Sequence, residues 1–145
     1  MPKMTTVADL MTTDVVRVHE DQDVVFATGA MKLRRIRHLP VVRDDALVGL
    51  ISHRDLLRAQ ARFLANVEPE KGETTISSVL AKDVMTSEVR TVSPDMAADA
   101  AAMLLVDHKI GCLPVVADGA LVGIITEADF LRWAVGVLAS SNAGG

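Results

Sequence analysis

The sequence predicts an α+β fold in which one β-α-β-β-α unit is used twice. Three observations predict it: an internal repeat held at one offset, short apolar runs punctuated by turn signals, and helix-entry residues between those runs. Leu39-Pro40-Val41-Val42 recurs as Leu113-Pro114-Val115-Val116, and Ala46-Leu47-Val48-Gly49 as Ala120-Leu121-Val122-Gly123. Asp9, Met11 and Thr12 recur as Asp83, Met85 and Thr86, and every pair lies 74 residues apart. The register holds without a gap from Asp9/Asp83 to Arg58/Arg132, which chance matches do not do. The chain is a tandem duplication.

Each copy reads in the same order. An apolar lead (Val7 to Met11; Val79 to Met85) precedes a short strand, Val15 to Val18 or Val89 to Val92. A helix then enters at Asp21 in the first copy and at Ser93-Pro94-Asp95 in the second. Ser at the N-cap, Pro at the first helical position and an acid in the first turn form an entry signal. The expected helices are Val24 to Arg35 and Met96 to Lys109. Two apolar runs, Leu39 to Val42 and Leu47 to Ile51, follow around Arg43 to Ala46, and the second copy places Asp118-Gly119 in that gap. Asp-Gly favours a hairpin because glycine takes positive φ at little cost. A second helix begins near Ser52 or Thr126, leaving a small sheet covered by helices on one face.

At roughly 60 residues, one copy alone buries too little surface to be stable. The two copies are therefore expected to be related by a pseudo-twofold axis and packed through their small sheets, with matching clefts between them. The expected boundaries are a first domain over 7–66, a linker over 67–78, a second domain over 79–139 and a flexible tail over 140–145. Glu68, Pro69, Glu70, Lys71, Gly72 and Glu73 make the linker polar and turn-prone.

Composition narrows the function. Half of the 145 residues are hydrophobic, but there is no Tyr, one Trp and three Phe, so small aliphatic side chains and Met must fill the core. The net charge is −4, and the cluster Arg34, Arg35, Arg37, His38 is too short for a duplex nucleic-acid surface. No apolar run approaches the roughly 18–20 residues that cross a bilayer, and Met1 to Leu10 lacks the pattern of a secretory signal. With Cys112 as the sole cysteine, no internal disulfide can form, and a cytoplasmic protein is expected. His19, His38, His53 and His108 lack metal-ligand spacing, and no nucleophile–base set or phosphate-binding glycine loop is present. Neither a metal site nor enzymatic activity is expected.

Asp-Leu-Met-Thr, the strand and helix that follow, Leu-Pro-Val-Val, and Gly49-Leu50-Ile51-Ser52-x-x-Asp55 together resemble the cystathionine β-synthase (CBS) domain. The second copy carries the same set, ending in Gly123-Ile124-Ile125-Thr126-x-x-Asp129. The resemblance implies a stand-alone tandem CBS pair, or Bateman module. It implies a regulatory adenosyl ligand, AMP, ADP, ATP or S-adenosylmethionine, bound in clefts between the two domains. By the same resemblance Ser52 and Asp55, and Thr126 and Asp129, approach phosphate and ribose. His38-Leu39 and Cys112-Leu113 line the adenine end.

The residues themselves admit two readings. One ionised carboxylate can accept from both hydroxyls of a ribose, and a hydroxyl at a helix start can donate to phosphate beside free N–H groups. Ser-x-x-Asp and Thr-x-x-Asp are also the spacing of a capping box. The copies differ at this point: Arg37, His38, His53 and Arg54 surround the first segment, Gly111, Cys112, Glu127 and Ala128 the second. The Asp55 cleft is thus expected to favour phosphate. Glu127 would steer the Asp129 cleft toward a nucleoside, a sulfonium cation or no ligand, although Lys109 could partly replace the missing cation. The basic cluster could equally be a solvated helix end. The Ala-rich stretch 97–102 and the helix over Phe130 to Leu138 are expected to form a homodimer interface. The alternative function is a ligand-free interaction module that regulates a separately encoded enzyme or transporter.

Overall fold

The computed structural model describes residues 4–66 and 78–144. The expected linker, Ser78 apart, lies outside the described residues. Two compact units result, and neither is one half of the sequence. One comprises residues 16–89; the other joins the described residues up to Val15 with those from Arg90 onward. Both are mixed α+β.

In the unit 16–89, β1 (Val18–His19) runs parallel to β2 (His38–Arg43), and β2 pairs antiparallel with β3 (Ala46–Ser52). The first strand lies further along than the expected Val15 to Val18, because Val18 is the residue that meets Val41 and is fully buried. α2 (Val24–Arg34) starts where expected but is capped by Asp23, not Asp21. The Asp23 carboxylate accepts from the Phe26 N–H at 2.8 Å, whereas Asp21 pairs with Lys82 at 3.2 Å. α3 (His53–Asn66) leaves the end of β3.

In the other unit, β4 (Cys112–Ala117) and β5 (Ala120–Thr126) form the expected hairpin around Asp118 and Gly119, at φ 52° and 79°. The strand expected over Val89 to Val92 reduces to a single parallel bridge between Val92 and Val115. α5 (Ala98–His108) starts later than Ser93-Pro94-Asp95 implies, with Ala97 at its N-cap. The cause is visible in the backbone. The Met96 N–H closes one turn on the Ser93 carbonyl at 3.2 Å. The carbonyls of Pro94 and Met96, however, accept from Ala8 and Val7 at 3.0 and 2.8 Å, so this stretch docks the N-terminal lead instead of continuing into the helix. α6 (Glu127–Ala143) continues through Ser140, where a flexible tail was expected.

The leads fold as single helical turns, α1 (Val7–Leu10) and α4 (Ala81–Val84), and each packs in the unit holding the other repeat. Thr12 exchanges backbone hydrogen bonds with Ile124 at 2.8 and 2.9 Å, and Thr86 does so with Leu50 at 2.9 and 3.0 Å. Met11 lies over Gly123 and Met85 over Gly49. A β-carbon built on Gly123 would stand 2.7 Å from the Met11 sulfur, so only glycine lets the lead approach this closely. Val7 and Ala81 are fully buried in the cores they join, the first beside Leu113, Val115 and Ile125, the second beside Leu39, Val41 and Ile51.

Candidate functional site

The hairpins bring separate stretches of sequence to one place in each unit. Ser52 is the cross-strand partner of His38, and one residue later the His53 N–H donates to the Arg37 carbonyl at 2.8 Å. Arg37, His38, Ser52, His53, Arg54 and Asp55 therefore meet at one end of the β2–β3 hairpin. Arg37, His53 and Arg54 are exposed there, which places two guanidinium cations and an imidazole beside the entry of α3. Leu39 is fully buried among core residues. Only its backbone is available to line a ligand.

The entry of α3 is a reciprocal capping box. The Ser52 N–H donates to Asp55 Oδ2 at 2.8 Å, and the Asp55 N–H donates to Ser52 Oγ at 3.1 Å. Because the Ser52 hydroxyl accepts, its own proton remains able to donate outward. Among the described residues, Asp55 Oδ1 accepts no hydrogen bond, and no buried side-chain oxygen or nitrogen is left without a partner. The free oxygen is therefore not sealed from solvent. One donor and one acceptor stand ready beside a helix N-terminus.

The other unit repeats the backbone but not the side-chain arrangement. Cys112 faces Thr126 across β4 and β5, and the Glu127 N–H donates to the Gly111 carbonyl at 3.2 Å. Cys112 and Leu113 are buried, and burial pushes the Cys112 thiol up to about 12, so it stays protonated and unreactive. Asp129 is 5% exposed, the one buried charged residue among those described. Its Oδ2 accepts from the Thr126 N–H at 2.9 Å and the Thr126 hydroxyl at 3.3 Å. Its Oδ1 accepts from the Thr12 hydroxyl at 3.0 Å and from Arg132 Nη2 at 2.5 Å. Four donors fill the roughly four lone-pair sites of a carboxylate.

Thr12 and Arg132 were not singled out from the sequence as site residues. Their signal was the constant offset itself, which includes both Thr12/Thr86 and Arg58/Arg132. Among the described residues no cluster of His, Cys, Asp and Glu could hold a metal ion, and no helix is long and apolar enough to cross a membrane.

Fold and site together define a class: a duplicated α+β unit presenting a hydroxyl–carboxylate pair at the helix entry that follows each hairpin. The chain belongs to the CBS-domain family, whose profile matches residues 7–62 and 81–136. The CBS domain-containing protein YhcV of Bacillus subtilis is 32% identical over 142 residues, covering 97% of this chain and 91% of that protein. CBSX2, solved in complex with AMP, is 30% identical with a TM-score of 0.77 over 92% of this chain and 98% of its own. The CBS domain pair of MJ0100, solved with 5′-methylthioadenosine and S-adenosyl-L-methionine, is 26% identical with the same TM-score and coverage. Other relatives are much longer enzymes, of which the chain spans 21% to 24%.

Proposed function

We propose that this chain is a regulatory sensor of an adenosine-containing ligand, AMP, ADP, ATP or S-adenosylmethionine, and performs no catalysis itself. The observation that carries this reading is the open Asp55 Oδ1 beside a Ser52 hydroxyl free to donate, with Arg37, His53 and Arg54 exposed around them. The carboxylate suits a ribose diol, while the cations and the N-terminus of α3 suit phosphate. Bound AMP in CBSX2 and bound S-adenosylmethionine in the MJ0100 pair support the ligand class. The same reading gives the second segment, Thr126 and Asp129, a weaker claim on anionic nucleotides, since Glu127 stands exposed beside it. It also makes the protein cytoplasmic, where these ligands are found.

A thermal-shift panel of AMP, ADP, ATP and S-adenosylmethionine tests the proposal. A ligand at 100 times its Kd adds about 2.7 kcal/mol to the folded state. Asp55→Ala should abolish that gain while the chain still folds. A panel in which nothing raises Tm would end the sensor reading and favour the ligand-free interaction module.

One further observation favours self-association as part of the same function. α6 exposes Leu131, Trp133, Val135, Val137 and Leu138, and α5 exposes Met103 and Val106. An apolar surface of this kind on two helices suits a homodimer, which sedimentation velocity would detect.

A further inference from the structure

The same residue types surround both site carboxylates, yet their side chains are set differently. Around Asp129 stand Thr126, Arg132 three residues on, and Thr12 from the exchanged lead; around Asp55 the corresponding residues are Ser52, Arg58 and Thr86. The backbone that carries them is equivalent, since Thr12 pairs with Ile124 as Thr86 pairs with Leu50. At Asp129 all three side chains point their donors at the carboxylate. At Asp55 none does: Thr86 and Arg58 are exposed without bonding it, and Ser52 Oγ accepts from the Asp55 N–H.

We propose that these residues form a latch with two settings, closed at Asp129 and open at Asp55. In the closed setting the Thr12 hydroxyl and the Arg132 guanidinium hold the Oδ1 lone pairs that a vicinal diol would need, and the Thr126 proton is turned inward. A nucleoside therefore enters at Asp55 first, and enters at Asp129 only after Thr12 and Arg132 let go. Thr12 and Arg132 are positioning residues that set how many sites the chain offers. The proposal rests on the adenosyl-binding reading above and deepens it by ordering the two sites.

Equilibrium dialysis of the full chain with AMP, and separately with S-adenosylmethionine, tests the order. The wild type should fill one tight site per chain, lost in Asp55→Ala and kept in Asp129→Ala. Thr12→Val combined with Arg132→Ala keeps the backbone pairing to Ile124 and should strengthen a second site about tenfold or more. Thr12→Ser with native Arg132 restores the hydroxyl and should return the chain to one site. Two equal sites in the wild type, or one site that survives Asp55→Ala and disappears in Asp129→Ala, would overturn the latch while leaving the sensor reading intact. No binding by any variant would overturn the sensor reading, and with it the ligand order. Amide exchange without ligand then decides the latch itself. Thr12→Val with Arg132→Ala should speed exchange over residues 5–12, whereas Thr86→Val with Arg58→Ala should leave residues 79–86 unchanged; equal effects in both leads would overturn it.

Discussion

Asp129 and Asp55 occupy one position in the repeat, but they carry different energetic weight. Removing the buried Asp129 carboxylate leaves two part-buried hydroxyls and an N–H short of an acceptor, while the exposed Arg132 turns to water, and losses of that kind run to about 1–3 kcal/mol. Asp55→Ala removes a capping interaction alone, about 1 kcal/mol. Urea unfolding of the two variants should therefore separate them, and equal midpoints would show that the Asp129 network adds nothing. Cys112 makes a pH-dependent contribution. Its folded thiol is raised from 9.0 to about 12, so the folded chain keeps a proton that the unfolded chain loses in between. Stability from this group is complete below about pH 9 and declines as pH rises toward 12, with a slope of at most about 1.4 kcal/mol per pH unit. Between pH 8 and pH 10 the urea midpoint of the wild type should fall relative to Cys112→Ala. At this scale the sequence was informative where local rules apply. Ser52 and Asp55 announced a helix entry, and hairpin pairing brought Arg37 and His38 to them. Asp129's burial was not legible, because it depends on Thr12, 117 residues away.

Among the elements, the hairpins were the most legible, since Asp118-Gly119 and the paired apolar runs specify turn and register locally. The entry of α5 was less so. Ser93-Pro94-Asp95 has the residues of a cap, but the carbonyls of Pro94 and Met96 serve α1, and the helix waits until Ala98. A local signal yields when a partner from far along the chain claims the same backbone. The glycines at the strand–lead crossings show how tight that partnership is. Gly123→Ala should cost about 1–3 kcal/mol by overpacking. Part of the clash is with the Thr12 carbonyl oxygen at 3.1 Å, which is backbone, so Met11→Ala should not fully restore stability. At Gly49 the three nearest atoms all belong to Met85 and approach more closely. One of them is its β-carbon at 3.0 Å, which cannot swing away, so Gly49→Ala should cost at least as much. Thermal melts of the three variants check the ranking. Full recovery by Met11→Ala would place the whole clash on the Met11 side chain.

For the whole molecule, the duplication was legible and the exchange of leads was not. A repeat offset of 74 residues is the same whether a lead packs on its own repeat or on the other, so periodicity is blind to the difference. Apolar patterning is equally silent, because Val7 and Ala81 are buried either way. What the sequence lacks is any mark of which sheet receives Met11 and which receives Met85. Close packing against Gly123 and Gly49 records that choice only in three dimensions.

The exchange also bears on what counts as a separable piece of this protein. Cut between the repeats, each polypeptide would retain its hairpin and two long helices but surrender the turn that completes its core. Each would meanwhile carry the turn that its counterpart lacks. Residues 1–72 and 73–145 produced separately should therefore melt without a cooperative transition, and on mixing should recover a one-to-one complex with a single sharp transition. Independent cooperative melting of either half would refute this. In such a chain, covalent continuity sets the local concentration of two complementary halves, while mutual completion holds them together.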